Sequence, residues 1–116
     1  MNLFAIDISG SISPKDYQKM AHYVCEVIHH DDVVIFVDHK VYYNDALSST
    51  AFKIKTNNGD SPTIIGGGGG SNGIFELDHN YLKHYPDCNK IYYLTDYKSD
   101  HKTYNVKWIA LEDENL

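Results

Sequence analysis

The sequence predicts an α/β fold built on a mainly parallel sheet with an antiparallel edge strand. Three observations predict it. Unbroken apolar runs at residues 3–6, 33–37 and 91–94 read as strands buried on both faces, the habit of parallel sheets. Each run stops at or just before an acid: Asp7, Asp38 and, after Thr95, Asp96. Segments of helical periodicity separate the runs, and strands alternating with helices make an α/β order.

The elements follow in order. Leu3-Phe4-Ala5-Ile6 forms the first strand, and Asp7-Ile8-Ser9-Gly10-Ser11 the turn that leaves it. Ser13 is an N-cap with Pro14 at the first helical position and Asp16 in capping-box spacing. Tyr17, Met20, Ala21, Val24 and Ile28 then recur on one helical face, which ends near His29-His30. Residues 33–37 form the second strand. His39-Lys40 reads as a polar break before Val41-Tyr42-Tyr43, which predicts an antiparallel hairpin. The alternation of Phe52 and Ile54 with polar residues predicts an extension of that edge over 51–55. Residues 56–73 are loop, with Asn58-Gly59, Ser61-Pro62 and five consecutive glycines from 66 to 70. Ile74, Leu77, Asp78, Tyr81, Leu82 and Tyr85 predict a second helix, stopped by Pro86. Strands at 91–94 and 106–111 complete the chain.

Length and composition bound the function. A chain of 116 residues is expected to be a single domain over 1–116, with a core large enough to fold without a disulfide or metal. There are 16 acidic residues against 10 lysines and no arginine, for a net charge of −6. That balance argues against nucleic acid as a partner, since phosphate contacts need clustered basic side chains. No apolar run approaches the roughly 20 residues that span a bilayer, so no membrane role is expected. The N-terminus lacks the basic start and cleavage site of a secretory signal, which makes a cytoplasmic location the simplest expectation. Cys25 and Cys88 have no CxxC spacing and read as small buried apolar residues.

The chemistry concentrates at strand ends. In open α/β sheets ligands bind beyond the carboxyl ends of the strands, where Asp7, Asp38 and Asp96 would gather. The sharpest feature is the DxSxS arrangement of Asp7, Ser9 and Ser11. One carboxylate with hydroxyls is a hard-oxygen set, suited to Mg²⁺ or Mn²⁺ and poorly suited to zinc.

These residues resemble the signature of the metal-ion-dependent adhesion site in von Willebrand factor type A (VWA) domains. A glycine-rich loop before Ser71-Asn72 and a strand ending in Leu94-Thr95-Asp96 follow in the family's order. More narrowly, the chain looks like the C-terminal VWA-like domain of a group of bacterial metallopeptidase-type proteins. That group also carries an apolar-flanked tryptophan in its last strand, here Val106-Lys107-Trp108-Ile109. The resemblance implies a three-layer Rossmann-like sheet of VWA type. It implies Mg²⁺ or Mn²⁺ held by Asp7, Ser9, Ser11, Ser71 and Asp96, with Asp38 and Asn72 in supporting positions. It also implies a non-catalytic module that offers the ion to an acidic side chain of a protein partner. Ser71 stands where threonine is usual, Asn72 where an acid is frequent, and Tyr97 where glycine is usual. No HExxH occurs, so peptidase activity is not expected.

Other readings use the same residues. Residues 68–73 fit GxGxxG formally, yet the preceding strand and following acid of a dinucleotide site are missing. No lysine follows the glycines, so there is no P-loop. Ser9 replaces the second acid of a DxD phosphatase motif, removing its general acid/base. A small metal-assisted hydrolase or phosphotransferase, or a phage-encoded decoy that has lost the metal, remain the alternatives. Finally, nine residues from 97 to 105 are too few for a full crossover helix, which predicts a reduced helix complement. The sheet would then offer an aromatic interface, with Tyr92, Tyr93 and Trp108 as its candidates and a homodimer or larger partner as its occupant.

Overall fold

The computed structural model describes residues 1–59, 70–96 and 103–112. Five strands form one sheet in the order β3-β2-β1-β4-β5. They are β1 (Asn2–Asp7), β2 (Val33–Val37), β3 (Leu47–Ser48), β4 (Lys90–Thr95) and β5 (Val106–Ala110), with helices α1 (Pro14–Val27), α2 (Ser49–Asn57) and α3 (Gly73–His84). β1 pairs in parallel with β2 and with β4, and β4 with β5, whereas β3 runs antiparallel to β2.

The alternation of side chains along each strand divides the core in two. Phe4, Ile6, Val34, Phe36, Leu94 and Ile109 face α1 and α2, where they meet Met20, Ala21, Val24 and Phe52. Leu3, Ala5, Ile35, Val37, Ile91 and Tyr93 face α3, where they meet Ile74 and Leu77. The central strands are apolar on both faces because both faces are covered, which is the three-layer Rossmann-like arrangement the apolar runs predict. Helix α1 begins as expected: Ser13 Oγ accepts the Asp16 N–H at 3.1 Å, and Pro14 occupies the first turn.

The edge beyond β2 differs from the expectation. The hairpin shrinks to a single bridge between Val37 and Val41, and Tyr43 enters a 3-10 turn at Tyr43–Asp45. The antiparallel edge forms instead at Leu47–Ser48, opposite Val33 and Val34. Residues 51–55, expected as strand, are helix α2. Ser48 Oγ accepts the Ala51 N–H at 3.2 Å and starts it. Ser49, Phe52 and Thr56 supply a buried face at helical spacing, and Ile54, the residue that suggested alternation, is left 57% exposed. Helix period prevails because one cap and one buried aromatic suffice to hold a two-turn helix against α1. Among the described residues three helices therefore cover the sheet, one more than expected.

Buried aspartates tie the elements together. Asp32 accepts the Asn2 N–H at 2.8 Å and the His29 N–H at 2.9 Å, fastening the start of β1 to the turn after α1. Asp78, buried on α3, accepts the Tyr104 and Asn105 N–H groups at 2.9 and 2.7 Å. That clasp holds the chain entering β5 against α3. Among the described residues no helix is long and apolar enough to cross a membrane. Cys25 is half-buried, Cys88 is buried, and both are free thiols.

Candidate functional site

Asp7 ends β1 and is 1% exposed. The chain leaving it turns back over the carboxylate: the Ser9 N–H donates to Asp7 Oδ1 at 2.8 Å, an Asx-type turn. The Ile12 N–H then closes on the Ser9 carbonyl at 3.0 Å. Those turns bring the Ser9 and Ser11 hydroxyl oxygens to 3.5 Å from one another. Ser9 is buried and Ser11 lies at the surface.

The second Asp7 oxygen is held from β4. Ile6 stands opposite Leu94, so Thr95 is the next residue in line with Asp7. The Thr95 hydroxyl donates to Asp7 Oδ2 at 2.7 Å and lies 3.3 Å from Asp96 Oδ1. One hydroxyl proton cannot serve both carboxylates fully, and the shorter contact identifies Asp7 as its acceptor. Asp96 is half-buried beside it.

The third side is the N-terminus of α3. Gly73 packs so closely on the turn after β2 that an added Cβ would lie 2.8 Å from the Asp38 carbonyl oxygen and from the Lys40 carbonyl carbon and oxygen. Its N–H donates to the Asp38 carbonyl at 2.9 Å. This docking carries Ser71 and Asn72, both exposed, to the rim opposite Ser9 and Ser11. Asn72 is the N-cap residue, yet its side chain makes no capping bond and stays available to the cleft.

Together these elements enclose a cleft of about 160 Å³, lined by Asp7, Ser9, Ser11, Ser71, Asn72, Thr95 and Asp96 with Phe75, Tyr93 and Trp108. All five residues expected to hold a metal, and Asn72, therefore converge on one place. Asp38 does not. Asp7 is level with Val37 across the β1–β2 pair, so Asp38, one residue further, belongs to the opposite face. There it is fully buried and satisfied, accepting from the Lys40 N–H at 3.1 Å and the Tyr42 hydroxyl at 2.8 Å. Burial first, and then this bond and the Asp38 charge, push the Tyr42 phenol up to about 12. Asp38 is thus a brace for the turn that receives Gly73.

The three expected interface aromatics do not form one patch. Tyr93 is 1% exposed and belongs to the core under α3. Tyr92 stacks on Phe4 on the α1 face, with ring centres 5.1 Å apart, while Trp108 packs on the α3 face. Thr95 is not among the expected site residues, and Tyr93, expected at an interface, lines the cleft instead. Their place depends on the β1–β4 register, and the available signal was their two-residue spacing along a strand ending in an acid. Residues 60–69 and 97–102, which include most of the glycine run and Tyr97, lie outside the described residues.

The donor set can be tested for chemistry. Among the described residues no group of three or more His, Cys, Asp or Glu side chains is placed to hold a metal. What converges is two carboxylates with three serine hydroxyls, a set for a hard cation and not for zinc or copper. Neighbouring ligands on an octahedral ion with bonds of about 2.0–2.1 Å lie about 3 Å apart. The Ser9 to Ser11 separation of 3.5 Å falls within one small side-chain rotation of that value. The cleft is well below the roughly 300–1,000 Å³ of small-molecule pockets. It suits an ion with its waters and one incoming side chain better than a nucleotide.

Neither a protein-family model nor a curated protein matches the sequence. Among solved structures, an aerotolerance-related membrane protein from Bacteroides fragilis, carrying multiple mutations to serine, is similar at 16% identity with a TM-score of 0.45. The likeness covers 87% of this chain and 56% of that one, so the present chain spans little more than half of its length.

Proposed function

We propose that this chain is a VWA-like, non-catalytic protein-binding module whose cleft takes Mg²⁺ or Mn²⁺ and presents it to an acidic side chain of a partner. The observation that carries the reading is Asp7. It is a fully buried carboxylate at the floor of a cleft, and no cationic side chain among the described residues pairs with it. Buried charges are paired or coordinate metals, because an isolated one is costly to desolvate. Each Asp7 oxygen accepts one hydrogen bond, which leaves each a lone pair directed to an ion or its water.

In this reading Ser9, Ser11 and Ser71 hold the ion through neutral oxygens, while Asp7 and Asp96 supply the charge. Few charged ligands leave the ion electrophilic. When bound, it supplies a Lewis-acidic position open to one carboxylate oxygen from outside. Ser11, Ser71 and Asn72 are exposed, so a partner approaches from that rim. Thr95 fixes the Asp7 carboxylate, and the Gly73 contact with the turn at Asp38 fixes the distance between the serine loops. The one hydroxyl bonded to a carboxylate among the described cleft residues, Thr95 on Asp7, is 4% exposed and sits beneath the serine rim, which favours recognition over hydrolysis.

Calorimetric titration with Mn²⁺ tests the proposal. One ion should bind per chain, Ser9→Ala and Ser71→Ala should each weaken it, and acetate should bind to the ion-loaded protein alone. Absence of heat at millimolar ion would remove the metal, and with it the mode of partner recognition.

A further inference from the structure

Tyr93 poses a problem that the proposed ion site does not itself explain. Its ring is buried in the core under α3, edge-on to Trp108 with ring centres 4.9 Å apart and planes at 88°. A phenylalanine would fill that space equally well. Instead the chain buries a hydroxyl that has no hydrogen-bond partner, and it is the one buried side-chain polar atom so left among the described residues. Leaving such a group unsatisfied is unfavourable, and native structures rarely do so without a reason.

The position of the hydroxyl supplies the reason. Tyr93 lines the same cleft as Asp7, Ser9 and Asp96. The hydroxyl lies beside the Asp7 carboxylate and the Thr95 hydroxyl without bonding geometry to either. Each Asp7 oxygen already accepts one hydrogen bond, and its second lone pair is the one that the proposed ion or its water would use. A tyrosine hydroxyl is neutral at ordinary pH and carries one proton to donate. Trp108, itself fixed by its Nε1–H bond to Thr103 Oγ1 at 2.9 Å, prevents the ring from swinging away.

We infer that Tyr93 is a positioning residue for the cation: its hydroxyl donates to a water in the ion's coordination shell and holds that water against Asp7. This rests on the divalent-ion reading above. A rigid donor on the floor of the cleft would leave the exposed rim at Ser11 and Ser71 as the side from which a partner reaches the site. The hydroxyl does not ligate the ion, and no proton leaves it.

The test compares wild type with Tyr93→Phe, using Mn²⁺ and Mg²⁺ as the probes. Ion-free Tyr93→Phe should unfold at the same denaturant midpoint as wild type or a higher one, because an unsatisfied donor has been removed. Its Mn²⁺ dissociation constant should rise about tenfold, the loss expected for one hydrogen bond to a polarised partner. Adding Mg²⁺ to wild type should also produce a tyrosine ultraviolet difference spectrum, and folded Tyr93→Phe at saturating Mg²⁺ should lack it. Unchanged ion affinity in a folded Tyr93→Phe, or an identical difference spectrum, overturns the inference while leaving the ion site intact. Wild type that binds no ion overturns the ion reading itself.

Discussion

Gly73→Ala tests whether the α3 N-terminus is held where the site needs it. The new Cβ would meet three backbone atoms at 2.8 Å, about 0.6 Å inside ordinary contact. The obstructing turn cannot easily yield. Its Asp38 N–H is bonded to the Lys40 carbonyl at 3.0 Å, and the Asp38 carboxylate holds the Lys40 N–H and the Tyr42 hydroxyl. Overpacking of this kind costs about 1–3 kcal/mol. Replacing a helical glycine returns up to about 1 kcal/mol, and less at a first-turn position. The net expectation is a loss of about 1–2 kcal/mol, or roughly 4–8 °C in melting temperature for a domain of this size. Thermal and urea denaturation followed by circular dichroism measure it directly. Gly70→Ala is the control, since its Cβ would meet nothing within 4 Å and should change stability by less than about 0.5 kcal/mol. Displacing Gly73 also moves Ser71, so ion binding should weaken in Gly73→Ala and not in Gly70→Ala. A Gly73→Ala protein as stable as wild type would refute the claim that this contact sets the geometry of the cleft.

Other predictions follow from the buried polar groups. Asp78→Ala removes the acceptor of two backbone N–H groups and should cost about 2–4 kcal/mol in urea denaturation; a change under about 0.5 kcal/mol would contradict the clasp. Tyr42, whose phenol is pushed to about 12 by burial and Asp38, favours the folded state while neutral. The same direction holds for Tyr17, Tyr43 and Tyr93, each raised first by burial. Their folded values lie above the unfolded value near 10, so this stability is complete below about pH 10 and is lost as pH climbs through 12 and beyond. The last part of the rise in tyrosinate absorbance should therefore coincide with loss of the circular dichroism signal; ionisation of all ten tyrosines in a folded protein would contradict the burial. The Cys88 thiol, raised by burial, should resist thiol reagents near neutral pH until the protein unfolds.

Much of this fold is legible in local pattern, and the exceptions have definite causes. The runs at β1, β2 and β4 are apolar on both faces, and only a covered central strand tolerates that composition. Helix α1 declares itself through Ser13, Pro14 and a buried stripe. Helix α2 does not, because Phe52 and Ile54 imitate a strand over so few residues that period alone cannot discriminate. The site divides along the same line. Asp7, Ser9 and Ser11 are adjacent in sequence and their turn is local, so their convergence can be read directly. Asp38 looks equivalent to Asp7, yet the one-residue offset against Val37 sends it to the other face. Thr95 and Tyr93 reach Asp7 only through the register of β1 on β4, a tertiary fact that spacing does not contain.

In the proposed function the buried Asp7 carboxylate faces a divalent cation. Its most direct test is the melting temperature of wild type and Asp7→Asn in excess EDTA and in millimolar Mg²⁺ or Mn²⁺. An ion present at about 100 times its dissociation constant stabilises the folded state by about 2.7 kcal/mol. At this chain length that corresponds to a rise of roughly 10 °C. Wild type should show such a rise and Asp7→Asn none. A wild-type melting temperature that is the same with EDTA and with either ion, or an equal rise in both proteins, would contradict it.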